Sequence, residues 1–329
     1  MTQMSISVVV PTYNRADLLP ASLDAIFAQT LQPLEVIVVD DGSRDDTTAV
    51  LQRYNGRVRA IRIDNSGELV ARNTGVRAAS GDLVAFCDSD DLWKPGFLGT
   101  MAALWQAEPG IKTAYCDFVL IRDGVWEQHS KFAAAPAGYW DGLRQVGPGL
   151  WVFDQAVIDR LIRFQPFFPS TMVVDRRFFL ALGCWDEAAS RIVGCDFATT
   201  LRVGEHPPIG IVRQPMVGIR KHAGNFSGDV QAMNLGDARI LEHVLATRPS
   251  LAPYRPLIQE SMTTRRRHAF DAAFARRDYA GVTSIYQLLP EAARSSATQV
   301  KRMVAGFPSG LRDAAARILL LAGSLRGER

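Results

Sequence analysis

The stretch Leu83–Leu98, "LVAFCDSDDLWKPGFL", runs an apolar segment into a knot of acids. Leu83 to Cys87 reads as a buried strand. It ends in Asp88, Asp90 and Asp91, and like charges crowded at a strand end repel one another. Asp88 and Asp90 have one residue between them, so an extended segment would point both to one side. Two carboxylates held together want a cation. Mg2+ or Mn2+ suits them, with waters and phosphate oxygens filling the other positions. The alternative is a capped loop with Asp91 at a helix start.

Upstream, the same pattern repeats. "ISVVVPTYNR" is a β-branched run halted by Pro11, and "LEVIVVDDGSRDDT" is a buried strand, Val36 to Val39, that meets Asp40, Asp41 and Gly42. Helical spacing follows each: Leu19, Leu23, Ile26 and Phe27 after the first, and a start near Ser43 to Asp46 after the second. "VRAIRID" reads as a third strand, and "SGELVARNTGVRAAS" as a short helix closed by Gly81. Strands alternating with helices predict a doubly wound, mostly parallel α/β sheet with helices on both faces. In such sheets ligands sit outside the carboxyl ends of the strands. Pro11 to Arg15, Asp40 to Ser43 and Asp88 to Asp91 all fall there.

Downstream, "IKTAYCDFVLIRDG" reads as a further strand, Phe132 to Val152 as a long loop, and "FFPSTMVVDRRFFLALGCWDE" as a strand and a helix ended by Gly183. A helix is expected to start near Cys195. From about Gln231 the texture changes to Ala, Arg and Leu at helical spacing, which predicts domains over 1–230 and 231–329. Leu311, Ala315, Ile318, Ala322 and Leu325 share one face of the last helix, with Arg312 and Arg326 opposite. That helix would dock on the core or lie on an anionic membrane.

The 329 residues are 47% hydrophobic and 22% charged, with formal net charge +3, which argues against a nucleic-acid partner. From Leu235 onward there are 15 Lys/Arg against 8 Asp/Glu. This basic end suits a membrane surface, an acidic partner or a solvated face. Cys87, Cys116, Cys184 and Cys195 form no CxxC pair, so reduced, buried thiols are expected rather than zinc. No apolar run approaches the roughly 20 residues of a bilayer span, and no signal-peptide pattern opens the chain. A cytoplasmic protein, or one peripheral to the inner face of the membrane, is the expectation. The first strand lacks the GxGxxG turn of a nicotinamide enzyme.

"SVVVPTYNR", "EVIVVDDGSRDDT", "ARNTGVRAASGDLVAFCDSDDLWKPGFL" and "GCWDE", in this order, resemble the family 2 glycosyltransferases, which carry the GT-A fold. The resemblance covers roughly Ser5 to Ser227. It implies an inverting, metal-dependent transfer of a sugar from a nucleotide-diphosphate sugar to a hydroxyl of a surface glycan or lipid-linked acceptor. Pro11, Thr12, Tyr13, Asn14 and Arg15 would cradle the nucleotide, and Asp41 or its neighbour Asp40 would accept a hydrogen bond from the base. Arg72 and Asn73 would lie near the nucleotide and its phosphates. Asp88, Ser89 and Asp90 match the DXD motif that holds Mg2+ or Mn2+ with the ribose and diphosphate, and Asp91 would share the metal. Asp196 matches the general base at a helix start, where the family's usual preceding Glu is replaced by Cys195. Trp185 and Asp186 resemble an acceptor-side element, in which Trp185 would stack on a sugar or fill the core. "GIRKHAGNFSG" resembles a late loop in which His222 would reach the metal or phosphates, and Arg220 or Lys221 would pair with the diphosphate. A different class, a non-catalytic nucleotide-sugar-binding scaffold or regulator, rests on Cys195 alone.

Overall fold

In the computed structural model, which describes residues 4–222, 224 and 228–327, with side chains through 320, the chain divides into two units. The first comprises residues 1–191 and 195–223, the second 192–194 and 224–329.

The first unit opens with β1 (Ile6–Thr12), α1 (Leu19–Phe27), β2 (Glu35–Asp40), α2 (Thr47–Arg53), β3 (Arg59–Arg62), α3 (Glu68–Ala78) and β4 (Leu83–Phe86). β1, buried at every residue, pairs in parallel with β2 and β4, aligning Val8 with Val36 and Ala85, and β2 pairs in parallel with β3. A strand buried on both faces needs apolar side chains at consecutive positions, which the Ile/Val runs supply. Alternation then sorts them. Val8 and Val10 join Leu19 and Leu23 of α1 in one core cluster, whereas Val9 meets α3 on the other face. α3 approaches so closely at Gly75 that a Cβ there would lie 2.3 Å from Val9 Cγ1.

There follow β5 (Leu92–Trp93), α4 (Phe97–Ala107), β6 (Thr113–Arg122), β7 (Val125–Ser130), β8 (Leu143–Gly147), β9 (Leu150–Phe153), α5 (Ile158–Arg163), β10 (Met172–Asp175), α6 (Arg176–Ala181), α7 (Asp196–Val203) and β11 (Ile209–Lys221). The sheet runs β3-β2-β1-β4-β10-β6-β11-β9-β8, with β5 on β11 and β7 on β6. Beyond β4 it is mixed: β10 is antiparallel to both β4 and β6, while β6 and β11 are parallel.

Two local expectations are corrected. The expected loop from Phe132 to Val152 contains the β8–β9 hairpin, whose register turns between Gly147 and Leu150. Pro148–Gly149, with Gly149 at φ +72°, is a tight turn between short strands, not loop filler. Gly81 does not close α3, which ends at Ala78 with Ala79 extended. Glycine is needed there because a Cβ would sit 2.7 Å from the Ser7 amide nitrogen.

The second unit is helical: α8 (Val230–Thr247), α9 (Arg255–Ala275), α10 (Tyr279–Leu288), α11 (Ser296–Ala305) and α12 (Ser309–Gly327). Ala269, Phe270, Phe274, Val282, Ile285 and Val304 form its core, to which α12 brings Ala316 with Ala315 and Leu319 alongside. Leu311 and Ile318, on the face expected either to dock on the core or to lie on a membrane, are 66% and 67% exposed. Ala322 and Leu325 lie beyond the described side chains. Among the described residues no helix is long and apolar enough to cross a membrane.

Candidate active site

The loops after β1, β2 and β4 meet at the carboxyl end of the parallel strands. Asn14, at φ 51°, donates its backbone N–H to Ser43 Oγ (2.9 Å) and accepts from the Arg44 N–H through Oδ1 (2.8 Å). The first two strand-end loops are thereby stitched together. Pro11 and Thr12 are buried, Tyr13 is 40% exposed, and the hydroxyl of Thr12 is buried with no hydrogen-bond partner. A buried, unsatisfied hydroxyl is costly unless a ligand completes it.

Asp40 and Asp41 are both buried and already engaged. Asp40 accepts from the Ser43 N–H (2.8 Å) and from Arg62 (2.5 Å). Asp41 accepts from the N–H groups of Ser66 (2.7 Å) and Gly67 (2.9 Å), and from Asn65 Nδ2 (3.3 Å). Asp41 thus shapes the loop that starts α3.

The segment expected to be extended is a turn: the Asp91 N–H donates to the Asp88 carbonyl (2.9 Å). The three acids therefore diverge. Asp88 faces α3, where Arg72 Nη2 lies 2.8 Å from its carboxylate. Asp90 faces Arg15 (3.6 Å) and His222 Nε2 (3.0 Å). Asp91 turns inward, 4% exposed, accepting from the Ser170 hydroxyl (2.5 Å) and the Arg220 N–H (3.3 Å). Burial, then the charges of Asp90 and Asp88, push the Asp91 carboxyl well above the usual carboxylate range. Asp91 therefore anchors the turn, and it begins no helix, since α4 starts at Phe97. Ser89 is buried, and its carbonyl accepts from Ser22 Oγ (2.9 Å). Arg220, expected near the diphosphate, is spent on the carbonyls of Asp90 and Leu18 and on Ser22 Oγ, locking the turn to the start of α1. Asn225 and Ser227 of the same late motif lie outside the described residues.

Arg72 and Asn73, expected near the nucleotide and its phosphates, are both buried. Arg72 is 2% exposed, with its guanidinium 5.2 Å from the Trp185 ring and its Nε and Nη1 unpartnered. Burial works against its charge, but Asp88 and Glu68 outweigh that and hold it protonated. Burial also pushes the Asp88 carboxyl up, against the pull of Arg72. Asn73 is 1% exposed and clips the 185–187 segment: its Oδ1 accepts from the Trp185 N–H (2.8 Å), and its Nδ2 donates to the Trp185 carbonyl (3.0 Å) and Glu187 (2.7 Å). Trp185 fills the core between Phe86 (5.1 Å) and Phe179 (5.7 Å), so its ring is closed to a sugar. The Asp186 N–H donates to Thr199 Oγ1 on α7 (2.9 Å), and its carboxylate accepts from the Ala188 N–H (3.2 Å).

Asp196 is the first residue of α7, half-buried, with Cys195 as the N-cap and no side-chain cap. Cys195 Sγ lies 3.0 Å from Glu68 Oε1, and Glu68 Oε2 lies 3.5 Å from Arg72. Burial first, then Glu68 and Asp196, push the Cys195 thiol up. Glu68, Ser170 and Thr199 have no motif of their own in the sequence. Only tertiary contacts reveal them.

Among the described residues, no three His, Cys, Asp or Glu side chains gather into a metal site. Asp88 and Asp90 supply carboxylate oxygens, the donor type a hard divalent ion takes.

The class this topology defines is an α/β fold with three strand-end loops gathered at the carboxyl end of its parallel strands. Residues 7–167, just under half of the chain, match the model for "Glycosyl transferase family 2". The chain is 40% identical over 100 residues to glycosyltransferase YwdF of Bacillus subtilis, a stretch covering 30% of this chain and 37% of YwdF. It is likewise 40% identical over 93 residues to the putative teichuronic acid biosynthesis glycosyltransferase TuaG of the same organism, covering 27% and 37%. The matched stretch thus spans about a third of the length of these relatives. Crystal structures of S. aureus TarS 1-349 share the fold. The complex with UDP has a TM-score of 0.59 at 17% identity, over 99% of this chain and 92% of that one. The complex with UDP-GlcNAc has a TM-score of 0.61 at 16% identity, over 99% and 93%.

Proposed function

We infer that the protein is an inverting glycosyltransferase that takes a sugar from a nucleoside-diphosphate donor, with a UDP-sugar as the first candidate, and passes it to a hydroxyl of a cell-surface polysaccharide or lipid-linked glycan. The observation that carries this reading is the turn that presents Asp88 and Asp90 at the carboxyl end of the parallel strands, the end at which the buried Thr12 hydroxyl also lacks a partner. The names of TuaG and TarS, and the ligands of the TarS crystals, support the donor class and the setting.

Asp88 and Asp90 would hold Mg2+ or Mn2+ with the donor's diphosphate, where the ion would neutralise charge on the departing phosphate. Arg72 keeps Asp88 oriented from behind, and Arg15 and His222 steady Asp90. Asp196 takes the proton of the acceptor hydroxyl. The oxygen so freed forms a bond to the anomeric carbon as the bond from that carbon to the phosphate oxygen breaks. The electron pair leaves with the nucleoside diphosphate. A single displacement of this kind inverts the anomeric centre.

We place membrane contact on the second unit, where Met303, Leu311 and Ile318 are exposed alongside Arg317. Apolar side chains with basic neighbours suit an anionic lipid surface. Sedimentation with phosphatidylglycerol vesicles, compared with phosphatidylcholine vesicles, tests this contact.

The reaction is tested by UDP release from UDP-GlcNAc, UDP-glucose and UDP-galactose with Mn2+, for wild type and Asp196→Asn. Release by wild type and its loss in the variant support the reading. No release from any donor, or equal release by both proteins, would contradict it.

A further inference from the structure

Glu68 lies between Cys195 and Arg72, and the proposed reaction gives it no role. It is the first residue of α3, where the helix N-terminus favours a negative charge. One carboxylate oxygen lies 3.0 Å from the Cys195 thiol, and the other 3.5 Å from Arg72, the partner of Asp88. The Cys195 backbone leads directly into Asp196. Glu68 is therefore flanked by the donor-side carboxylate on one side and the candidate base on the other.

Unlike its neighbours, this carboxylate is not used up. Arg72 and Cys195 are 2% and 3% exposed, but the Glu68 side chain is 53% exposed. Its contacts with them are weak: a thiol is a poor donor, and 3.5 Å is long for a charged hydrogen bond. The guanidinium beside it has two buried nitrogens without partners. The polar layer under the cleft floor is thus incomplete as it stands.

An ionised carboxylate only accepts hydrogen bonds. Next to a diphosphate it would be repelled, so its ligand must present hydroxyl donors rather than phosphate. With Asp196 serving the hydroxyl that attacks, a second carboxylate across Cys195 suits a second hydroxyl on the same molecule.

We propose that Glu68 is an acceptor-specificity residue, binding a hydroxyl of a sugar acceptor adjacent to the one Asp196 activates. This rests on the transferase reading and adds the acceptor's chemistry to it: a sugar with neighbouring hydroxyls, not an isolated alcohol. Glu68 selects and orients, while the proton goes to Asp196.

The test measures UDP release with Mn2+, with the donor that wild type turns over fastest, in titrations of p-nitrophenyl hexopyranosides and, separately, 1-hexanol. Expected for wild type is acceleration by at least one hexopyranoside and none by hexanol. Glu68→Gln keeps the side-chain shape, and the half-exposed site tolerates it, so an unchanged melting temperature checks folding. Its KM for the hexopyranoside is expected to rise about tenfold, the cost of losing one charged hydrogen bond. Its KM for the donor is expected to stay within about twofold, since no donor contact is removed. Equal acceptor KM in both proteins would overturn the proposal. So would a parallel rise in donor KM, or a wild type that no hexopyranoside accelerates. A wild type that releases no UDP from any donor would instead sink the transferase reading beneath it.

Discussion

Arg72 and Asp88 meet at 2.8 Å with the arginine 2% exposed, so the carboxylate that begins the Asp88–Asp91 turn is held from behind by a buried cation. Replacing Arg72 with Ala strands Asp88 beside a cavity. Removing one partner of a buried pair costs about 3–5 kcal/mol. The midpoint of urea unfolding should fall accordingly. Arg72→Lys should recover only part of the loss, because one ammonium cannot reproduce the fork that faces Asp88, Glu68 and the Trp185 ring. A lysine variant as stable as wild type would contradict this.

Asn73 ties the 185–187 segment to α3, and Thr199 ties the same segment to α7. α3 thereby links Asp88 to the helix that carries Asp196. Asn73→Ala would leave the Trp185 N–H and carbonyl without these partners, at a cost of roughly 2–3 kcal/mol. UDP binding should survive better than acceptor-dependent transfer. Comparing the UDP dissociation constant with the transfer rate in this variant measures the split, and equal losses would speak against the linkage.

Asp196→Asn should retain UDP binding and thermal stability, since Cys195, not Asp196, is the N-cap of α7. Transfer should fall about 10²- to 10⁴-fold, the usual worth of a general base. A variant within tenfold of wild type would reassign the base.

All four cysteines are buried, and burial pushes each thiol above its ordinary pKa. A thiol with a raised pKa stays protonated as pH rises through 8, and only the thiolate reacts readily. Ellman's reagent at pH 8 should therefore detect almost no fast thiol in the native protein and four after denaturation in guanidinium. Rapid native labelling would show Cys195 open to solvent.

The strand ends were legible because buried parallel strands leave long apolar runs with polar punctuation, as at Pro11, Asp40 and Asp88. The β8–β9 hairpin was not, since its strands are short and their turn, Pro148–Gly149, resembles the loop around it. The candidate site was legible in its residues but not in their directions. "SDD" suggested an extended segment, and a turn sends Asp91 inward to Ser170 instead. The contacts of Arg72 and Asn73 with Trp185, more than a hundred positions away, were not legible in the sequence. Glu68 carried no signal at all. Its significance comes from Cys195, whose contact with it no local pattern encodes.

The most direct measurement is calorimetric titration of UDP into the wild-type protein with Mn2+, into the same protein with EDTA, and into Asp90→Ala with Mn2+. Saturable binding is expected in the first case, weakened at least about tenfold in the other two, as for the loss of a metal's supporting groups. Equal affinity in all three, or no binding with Mn2+, would contradict the role given to Asp88 and Asp90.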